Sequence, residues 1–273
     1  MDLIADITGY FARSFSNGYT ATNPGRLVDT RLGVGTAKGS VRSGGSFTVQ
    51  IAGNNVGPLP ADGVTAVALN VTVTGPQGGG SLTVFPNGTG LPTASNRNYS
   101  PGQTIANAVI APVGADGKIK IYNGSWGSAD VVVDVVGYYS PARASAYLPI
   151  TPFRWLDTRS WGKGPPYDSS RYHIYSRFGD PGDTGFVLNT TVTNTTGGGY
   201  LTVSPDPNNI DAYKGKYAGR PNRPLVSTLN WKKGETVSNL VHATPGPGGI
   251  IDVWNTGTGS TDLVVDVFGY YTV

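Results

Sequence analysis

The sequence predicts an all-β fold: two tandem, jelly-roll-like β-sandwiches of about eight strands each, preceded by one extra strand. Three observations predict it. The first is composition: 40 Gly and 20 Pro among 273 residues, with 38% apolar residues, and no segment holding a 3.6-residue apolar period. The second is a series of short runs rich in Val, Thr, Ile and Tyr, separated by turn-forming residues. The third is an internal repeat that divides the chain into two copies.

In the first copy the strand candidates are Arg26–Arg31, Ser46–Ile51, Val64–Thr74, Ser81–Phe85, Ala94–Tyr99, Ala106–Val113, Lys118–Tyr122 and Asp130–Tyr139. "GPQGGG", "PNGTG", "SPGQ", "GADG" and "NGSWGS" punctuate them, and each carries the Gly, Pro or Asn that turns require. Thr72, Thr74 and Thr83 alternate with Val71, Val73, Leu82 and Val84, which predicts strands with one buried face. Val131–Val136 is apolar almost throughout, broken by Asp134, and reads as a central strand covered on both faces.

The second copy matches the first motif by motif. "PGRLVDTR" (Pro24–Arg31) returns as "PFRWLDTR" (Pro152–Arg159), an offset of 128. "LNVTVT" at Leu69 and "GGSLTVFP" at Gly79 return at Leu188 and Gly198, an offset of 119. "SNRNYSPGQTIAN" at Ser95 returns as "STLNWKKGETVSN" at Ser227, an offset of 132. Fixed motifs with variable spacing are what strands joined by surface loops give. The division is residues 1–23 (a closing strand of a preceding repeat plus linker), 24–140, and 141–273 with an insertion at 206–222.

"DLIADITGYF" (Asp2–Phe11) is a third copy of "DVVVDVVGYY" (Asp130–Tyr139) and "DLVVDVFGYY" (Asp262–Tyr271). Asp6 to Asp29 and Asp134 to Asp157 are both 23 residues apart, with Tyr19 and Tyr147 in register between them. The segment therefore reads as the last strand of a preceding repeat. Leu3, Ile4, Ile7, Tyr10 and Phe11 would expose a β-prone edge in water, so docking onto a sheet is expected. The sheet is either one in this chain or one in a neighbouring molecule, where strand addition would build a fibre.

Composition also excludes functions. A net charge of +3, with scattered Lys and Arg, gives no nucleic-acid footprint. No apolar run is long enough to span a membrane as a helix. Without cysteine there are no disulfides, thiol nucleophiles or Cys metal sites. Met1 precedes a strand-like segment with neither a basic nor a hydrophobic leader region, so the chain reads as a mature piece or fragment. No cofactor is expected.

The ordered set R-x-x-D-T-R, L-N-x-T-V-T, G-x-L-T-V-x-P, S-x-x-N-[YW], G-x-T-x-x-N and D-x-x-x-D-x-x-G-Y-[YF] resembles a repeat domain of secreted and cell-surface proteins. That domain is common in actinobacteria and other soil bacteria. The resemblance covers nearly the whole chain, twice. It implies export to the cell surface or medium, tandem repetition and attachment to other extracellular modules, with no established catalytic residues.

The candidate site residues fall into five groups. Asp29, Arg31 and Asp134, with Asp157, Arg159 and Asp266, form either a ligand grip or a buried polar network. The apolar setting of Asp134 and Asp266 favours the network, with Arg31 on Asp134 and Arg159 on Asp266. Asn70, Asn98 and Asn107, repeated as Asn189, Asn230 and Asn239, are expected to bind loop backbone, a shared sugar site being the alternative. Trp161, Tyr167, Tyr172, Tyr175, Tyr213 and Tyr217 are peculiar to the second copy and suit either a sugar or protein partner or loop packing. Asp206, Asn208, Asn209 and Asp211 offer a weak calcium candidate without EF-hand spacing. His173 and His242 stand at unrelated places and lack H-E-x-x-H spacing. The expected function is a non-catalytic extracellular structural or adhesive module, with self-association by strand addition. The alternative is a carbohydrate-binding module for cell-wall or environmental glycans.

Overall fold

A computed structural model describes residues 6, 7, 9–11, 17–142, 145–161 and 182–273, together with the backbone of 172–175. The chain divides into two units, Arg26–Ala144 with the residues up to Thr20, and Ser145–Val273 with Ala21–Gly25.

The strands of the first unit are β1 (Gly18–Asp29), β2 (Ser46–Gln50), β3 (Ala66–Thr74), β4 (Gly80–Pro86), β5 (Arg97–Tyr99), β6 (Ile105–Pro112), β7 (Lys118–Ser125) and β8 (Asp130–Ser140). They form two four-stranded sheets, in the orders β1-β8-β3-β6 and β2-β7-β4-β5. The neighbours β1–β8, β2–β7, β3–β6 and β4–β5 are those of one long hairpin folded over into two layers, which is the jelly roll. Alternate residues of each strand fill the space between the layers. Val67, Leu69, Val71, Val73, Val131, Val133 and Val135 meet Leu82, Val84, Ile119 and Ile121 in one core.

The second unit repeats this plan. Its strands are β9 (Ala146–Asp157), β10 (Tyr172–Tyr175), β11 (Asp183–Thr193), β12 (Gly199–Pro205), β13 (Leu229–Trp231), β14 (Val237–Ala243), β15 (Ile251–Gly257) and β16 (Asp262–Thr272). The sheet orders are β9-β16-β11-β14 and β10-β15-β12-β13, which match the first unit strand for strand. Leu188, Val192, Leu201, Val203, Ile251, Val253, Leu263, Val265 and Val267 make the corresponding core. The sequence repeat is thus a duplicated two-sheet sandwich, as expected. A short helix, α1 (Ile210–Lys214), lies in the second-copy insertion. No helix among the described residues is long and apolar enough to cross a membrane.

Two features differ from expectation. First, β1 and β9 begin at Gly18 and Ala146, well before the R-x-x-D-T-R motif. The cause is a tyrosine packed on a glycine. In the first unit the β3–β8 register slips between Ala68 and Leu69, leaving Val136 as the extra residue of a bulge. Tyr19 Oη donates to the Val136 carbonyl at 3.0 Å, and its ring lies 5.2 Å from that of Tyr139. A Cβ at Gly137 would stand 2.3 Å from Tyr19 Oη. In the second unit Tyr147 donates to the Phe268 carbonyl at 3.2 Å and covers Gly269 in the same way.

Second, residues 6, 7 and 9–11 form no strand, and Ile7, Tyr10 and Phe11 are exposed. The Phe11 ring lies 6.3 Å from that of Tyr139. Leu3 and Ile4 lie outside the described residues. The physical reason is occupancy: β8 already sits between β1 and β3, and β16 between β9 and β11. Within this chain the closing positions of the two sheets are filled by β8 and β16, so among the described residues the segment is not added as a closing strand.

Gly137→Ala is expected to destabilise the first unit by about 1–3 kcal/mol in thermal or chemical denaturation, through overpacking against Tyr19. Gly90→Ala, where an added Cβ meets nothing within 4 Å, is the control and should leave stability unchanged.

Candidate functional site

The recurring charged motif assembles at the seam where the first strand of each unit meets the last. Arg26, Asp29 and Arg31 belong to β1 and the turn after it, and Asp130 and Asp134 belong to β8. Arg26 Nε donates to Asp134 Oδ1 at 2.6 Å, and its Nη1 donates to Asp29 Oδ2 at 3.1 Å. Arg31 grips the same Asp29 carboxylate with Nε at 2.9 Å and Nη2 at 2.7 Å, and its backbone N–H adds a third bond at 3.1 Å. Thr30 Oγ1 donates to Asp130 at 3.0 Å and accepts from the Val131 N–H at 3.0 Å.

The second unit repeats every one of these contacts. Arg154 binds Asp266 at 2.5 Å and Asp157 at 3.2 Å. Arg159 clamps Asp157 with Nε at 2.8 Å and Nη2 at 2.5 Å. Thr158 Oγ1 donates to Asp262 at 2.8 Å and accepts from the Leu263 N–H at 2.9 Å.

The arrangement corrects one expectation. The arginine on Asp134 is Arg26, not Arg31, and the one on Asp266 is Arg154, not Arg159. Register explains it: Arg154 stands directly across from Asp266 in the β9–β16 pair. Arg31 and Arg159 lie beyond the strand ends and turn back onto the aspartate two residues earlier. Asp29 and Asp134 are fully buried, and Arg26 keeps only 24% of its side chain exposed against 47% for Arg31. The hydrogen bond from Arg31 holds the Asp29 carboxyl below its ordinary range against the opposing effect of burial. In the second unit the hydrogen bond from Arg159 lowers Asp157 to about 2.

Of the repeated asparagines, Asn107 donates to the Asn96 carbonyl at 2.6 Å, and Asn239 donates to the Thr228 carbonyl at 2.7 Å. They pin the segment leading into β5 and β13. Asn98 accepts from Ser95 at 2.9 Å, while Asn70 and Asn189 lie directly across from Asp134 and Asp266. Asn230 stands across from Tyr200 in the β12–β13 pair.

The second-copy aromatics are only partly gathered. Trp161 ends a single 3-10 turn (Thr158–Trp161) and is 47% exposed. Tyr217 follows α1, packs its ring over Gly215 and is 69% exposed. No ring pair joins them among the described residues. Tyr213 is half-buried and donates to Asp206 Oδ2 at 2.5 Å. Tyr167 and the side chains of Tyr172, Tyr175 and His173 lie outside the described residues. Among the described residues the most exposed aromatic is one that sequence reasoning passed over: Trp126, 93% exposed on the β7–β8 turn of the first unit. Its signal was present as the lone bulky residue of "NGSWGS".

The calcium candidate does not assemble. Asp206 is fully buried, and its oxygens accept from the Asn208 N–H at 2.6 Å, the Asn208 amide at 3.1 Å and Tyr213. Asp211 is exposed on α1, and Asn209 is committed to capping that helix. No group of three or more metal-ligating side chains exists among the described residues. His242 is buried, its Nδ1 3.4 Å from Tyr271 Oη, and burial pushes it down to about 4, so it is neutral at pH 7.

Arg26→Ala leaves Asp134 and part of Asp29 uncompensated, and should cost roughly 3–5 kcal/mol in denaturant unfolding. Arg31→Ala removes a half-exposed partner but leaves the buried Asp29 carboxylate with Arg26 alone, and should cost less, about 1–3 kcal/mol. Acid should act through two groups whose folded values are depressed. His242 loses its contribution as pH falls from about 6.5 to about 4, and Asp157 loses its own as pH falls from about 3.8 to about 2. Melting temperatures followed from pH 7 to pH 2 should flatten over the upper range in His242→Gln and over the lower range in Asp157→Asn, relative to the parent protein.

No family model and no curated protein matches the chain. Solved structures do. The N-terminal CBM22-1-CBM22-2 tandem domain from Paenibacillus barcinonensis Xyn10C matches 94% of this chain and 100% of its own, at 11% identity and a TM-score of 0.26. The STIV MCP matches 94% of this chain and 96% of its own, at 9% identity and a TM-score of 0.24. The Sulfolobus Turreted Icosahedral Virus structure matches 93% and 91%, at 9% identity and a TM-score of 0.26.

Proposed function

We propose that the chain is a non-catalytic structural or adhesive module of a bacterial cell-surface or secreted protein. The observation that carries this reading is the closed clasp: the motif charges of each copy are spent on one another. Arg26 and Arg31 meet Asp29 and Asp134, and Arg154 and Arg159 meet Asp157 and Asp266. Charges that recur because they hold strands together support a structural role for the motif. The termini of each unit support a modular role. Tyr19 packs at a tilt against Tyr139 and Tyr147 against Tyr271, so the chain enters and leaves each sandwich at the same end.

The display of Trp126, Trp161 and Tyr217 favours a second reading, carbohydrate binding by ring stacking. A glycan array separates the two. The structural reading expects no retention of the intact protein at high micromolar concentration. Retention that disappears in the Trp126→Ala, Trp161→Ala, Tyr217→Ala triple variant would replace it with the carbohydrate-binding reading.

A further inference from the structure

The second unit buries an acid pair that the first lacks. In β15, Ile251 and Val253 point into the core, so Asp252 and Trp254 face the other side of their sheet. In β12 the same alternation puts Thr202 and Ser204 on that outer face. All four are buried. In the first unit the positions of Asp252 and Trp254 are Lys120 and Tyr122, which stay half-exposed. The difference is the insertion at 206–222. Thr202 Oγ1 donates to the Val226 carbonyl at 2.6 Å, Trp254 Nε1 donates to Ser204 Oγ at 3.0 Å, and Arg223 Nη1 donates to Thr256 Oγ1 at 2.8 Å. The bonds from Thr202 and Arg223 hold the segment after the insertion on the sheet, the Trp254 bond ties β15 to β12, and the bonds of Asn208 and Tyr213 to Asp206 hold the insertion itself.

Beneath it, Asp252 stands beside Asp206, both fully buried. The two carboxyls have opposite surroundings. Asp206 accepts three hydrogen bonds, from the Asn208 N–H, the Asn208 amide and Tyr213, a donor set that suits a carboxylate. Neither oxygen of Asp252 meets a donor among the described residues. Its neighbours in register are Ser204 on β12 and Ile174 on β10, both uncharged. The turn Thr244–Ile250 holds no charged residue, and Asp211 and Lys214 of α1 are exposed. A second anion here would be desolvated, unsolicited by any donor and beside a like charge, so the carboxyl keeps its proton.

We propose that Asp206 and Asp252 form a proton-dependent latch, in which neutral Asp252 lets the insertion close over the outer face of the second sandwich. Deprotonation puts two anions in one buried site and releases the insertion, exposing Trp254 and moving Tyr217 with α1. Burial, then the hydrogen bond the protonated carboxyl gives Asp206 and the charge there, raise Asp252 to about 8, so the latch weakens as pH climbs to that value. A raised carboxyl is stabilising below about 3.8 and loses that contribution as pH climbs to about 8, opposite in sign to Asp157.

Two measurements on the full chain test this. Carbon-13 NMR of the aspartate carboxyls, with Asp252 assigned by its loss in Asp252→Asn, should give a midpoint several units above an ordinary carboxylate. Tryptic cleavage at Lys214 and Lys216, normalised to an unstructured peptide, should rise about tenfold or more between pH 6.5 and 9 and stay flat in Asp252→Asn, which mimics the protonated side chain. Asp206→Asn should return the Asp252 midpoint toward the ordinary range. An ordinary midpoint in the parent protein would overturn the proposal. So would cleavage independent of pH, or a displaced Asp252 signal on adding calcium chloride, which would make the pair a cation site.

Discussion

The first sandwich depends on one constraint: two aspartates that sit in its first and last strands must be neutralised without water, and the second repeats the same contacts with its aspartates partly exposed. Asp29 and Asp134 are buried where β1 lies against β8, and leaving either charge uncompensated there would cost several kcal/mol. Arg26 reaches both at once. A cation fixed between the two strands ties the start of the unit to its end across more than a hundred residues of chain. Thr30 adds a directional bond to the Val131 backbone, which a charge alone cannot give. The clasp therefore acts as a register lock as well as a charge pair, since a one-residue slip would turn Asp134 from Arg26 toward the core.

The same seam carries the Tyr–Gly–bulge device at its other end. Tyr19 holds the bulge open at Val136, and Tyr147 does so at Phe268. Between clasp and bulge the closing strand is fixed at two points, and the apolar residues between them, Val131, Val133 and Val135, are pointed into the core. The second unit keeps both fixed points while accepting an insertion and substitutions on its outer sheet face. The insertion and the new buried acid fall on the sheet that lacks the clasp. There the replacement of Lys120 by Asp252 and of Tyr122 by Trp254 accompanies burial under the insertion.

Much of the fold was legible because alternation and turn residues speak locally. The strands from β2 to β8 lie within a few residues of their sequence-based positions, and the pairing of copies was readable from motif offsets alone. What was not legible depended on side-chain reach. Arg26 was part of the motif, yet its partner could not be separated from that of Arg31, because both precede the same strand and only register distinguishes them. The early start of β1 rests on Tyr19 meeting a glycine 118 residues away, a contact no local pattern encodes. Asp252 carried the same signal as Asp134, an acid inside an apolar run. It was missed because the first copy has lysine at that place, so repetition did not point to it.

The account's central claim is that the repeated charges hold strands together. A double-mutant cycle over Arg26→Met and Asp134→Asn, followed by chemical denaturation, tests it most directly. The account predicts a coupling of about 1 kcal/mol or more, with the double variant less unstable than the sum of the single changes. Additive effects, with coupling near zero, would contradict it and return Arg26 and Asp134 to the list of groups available for a ligand.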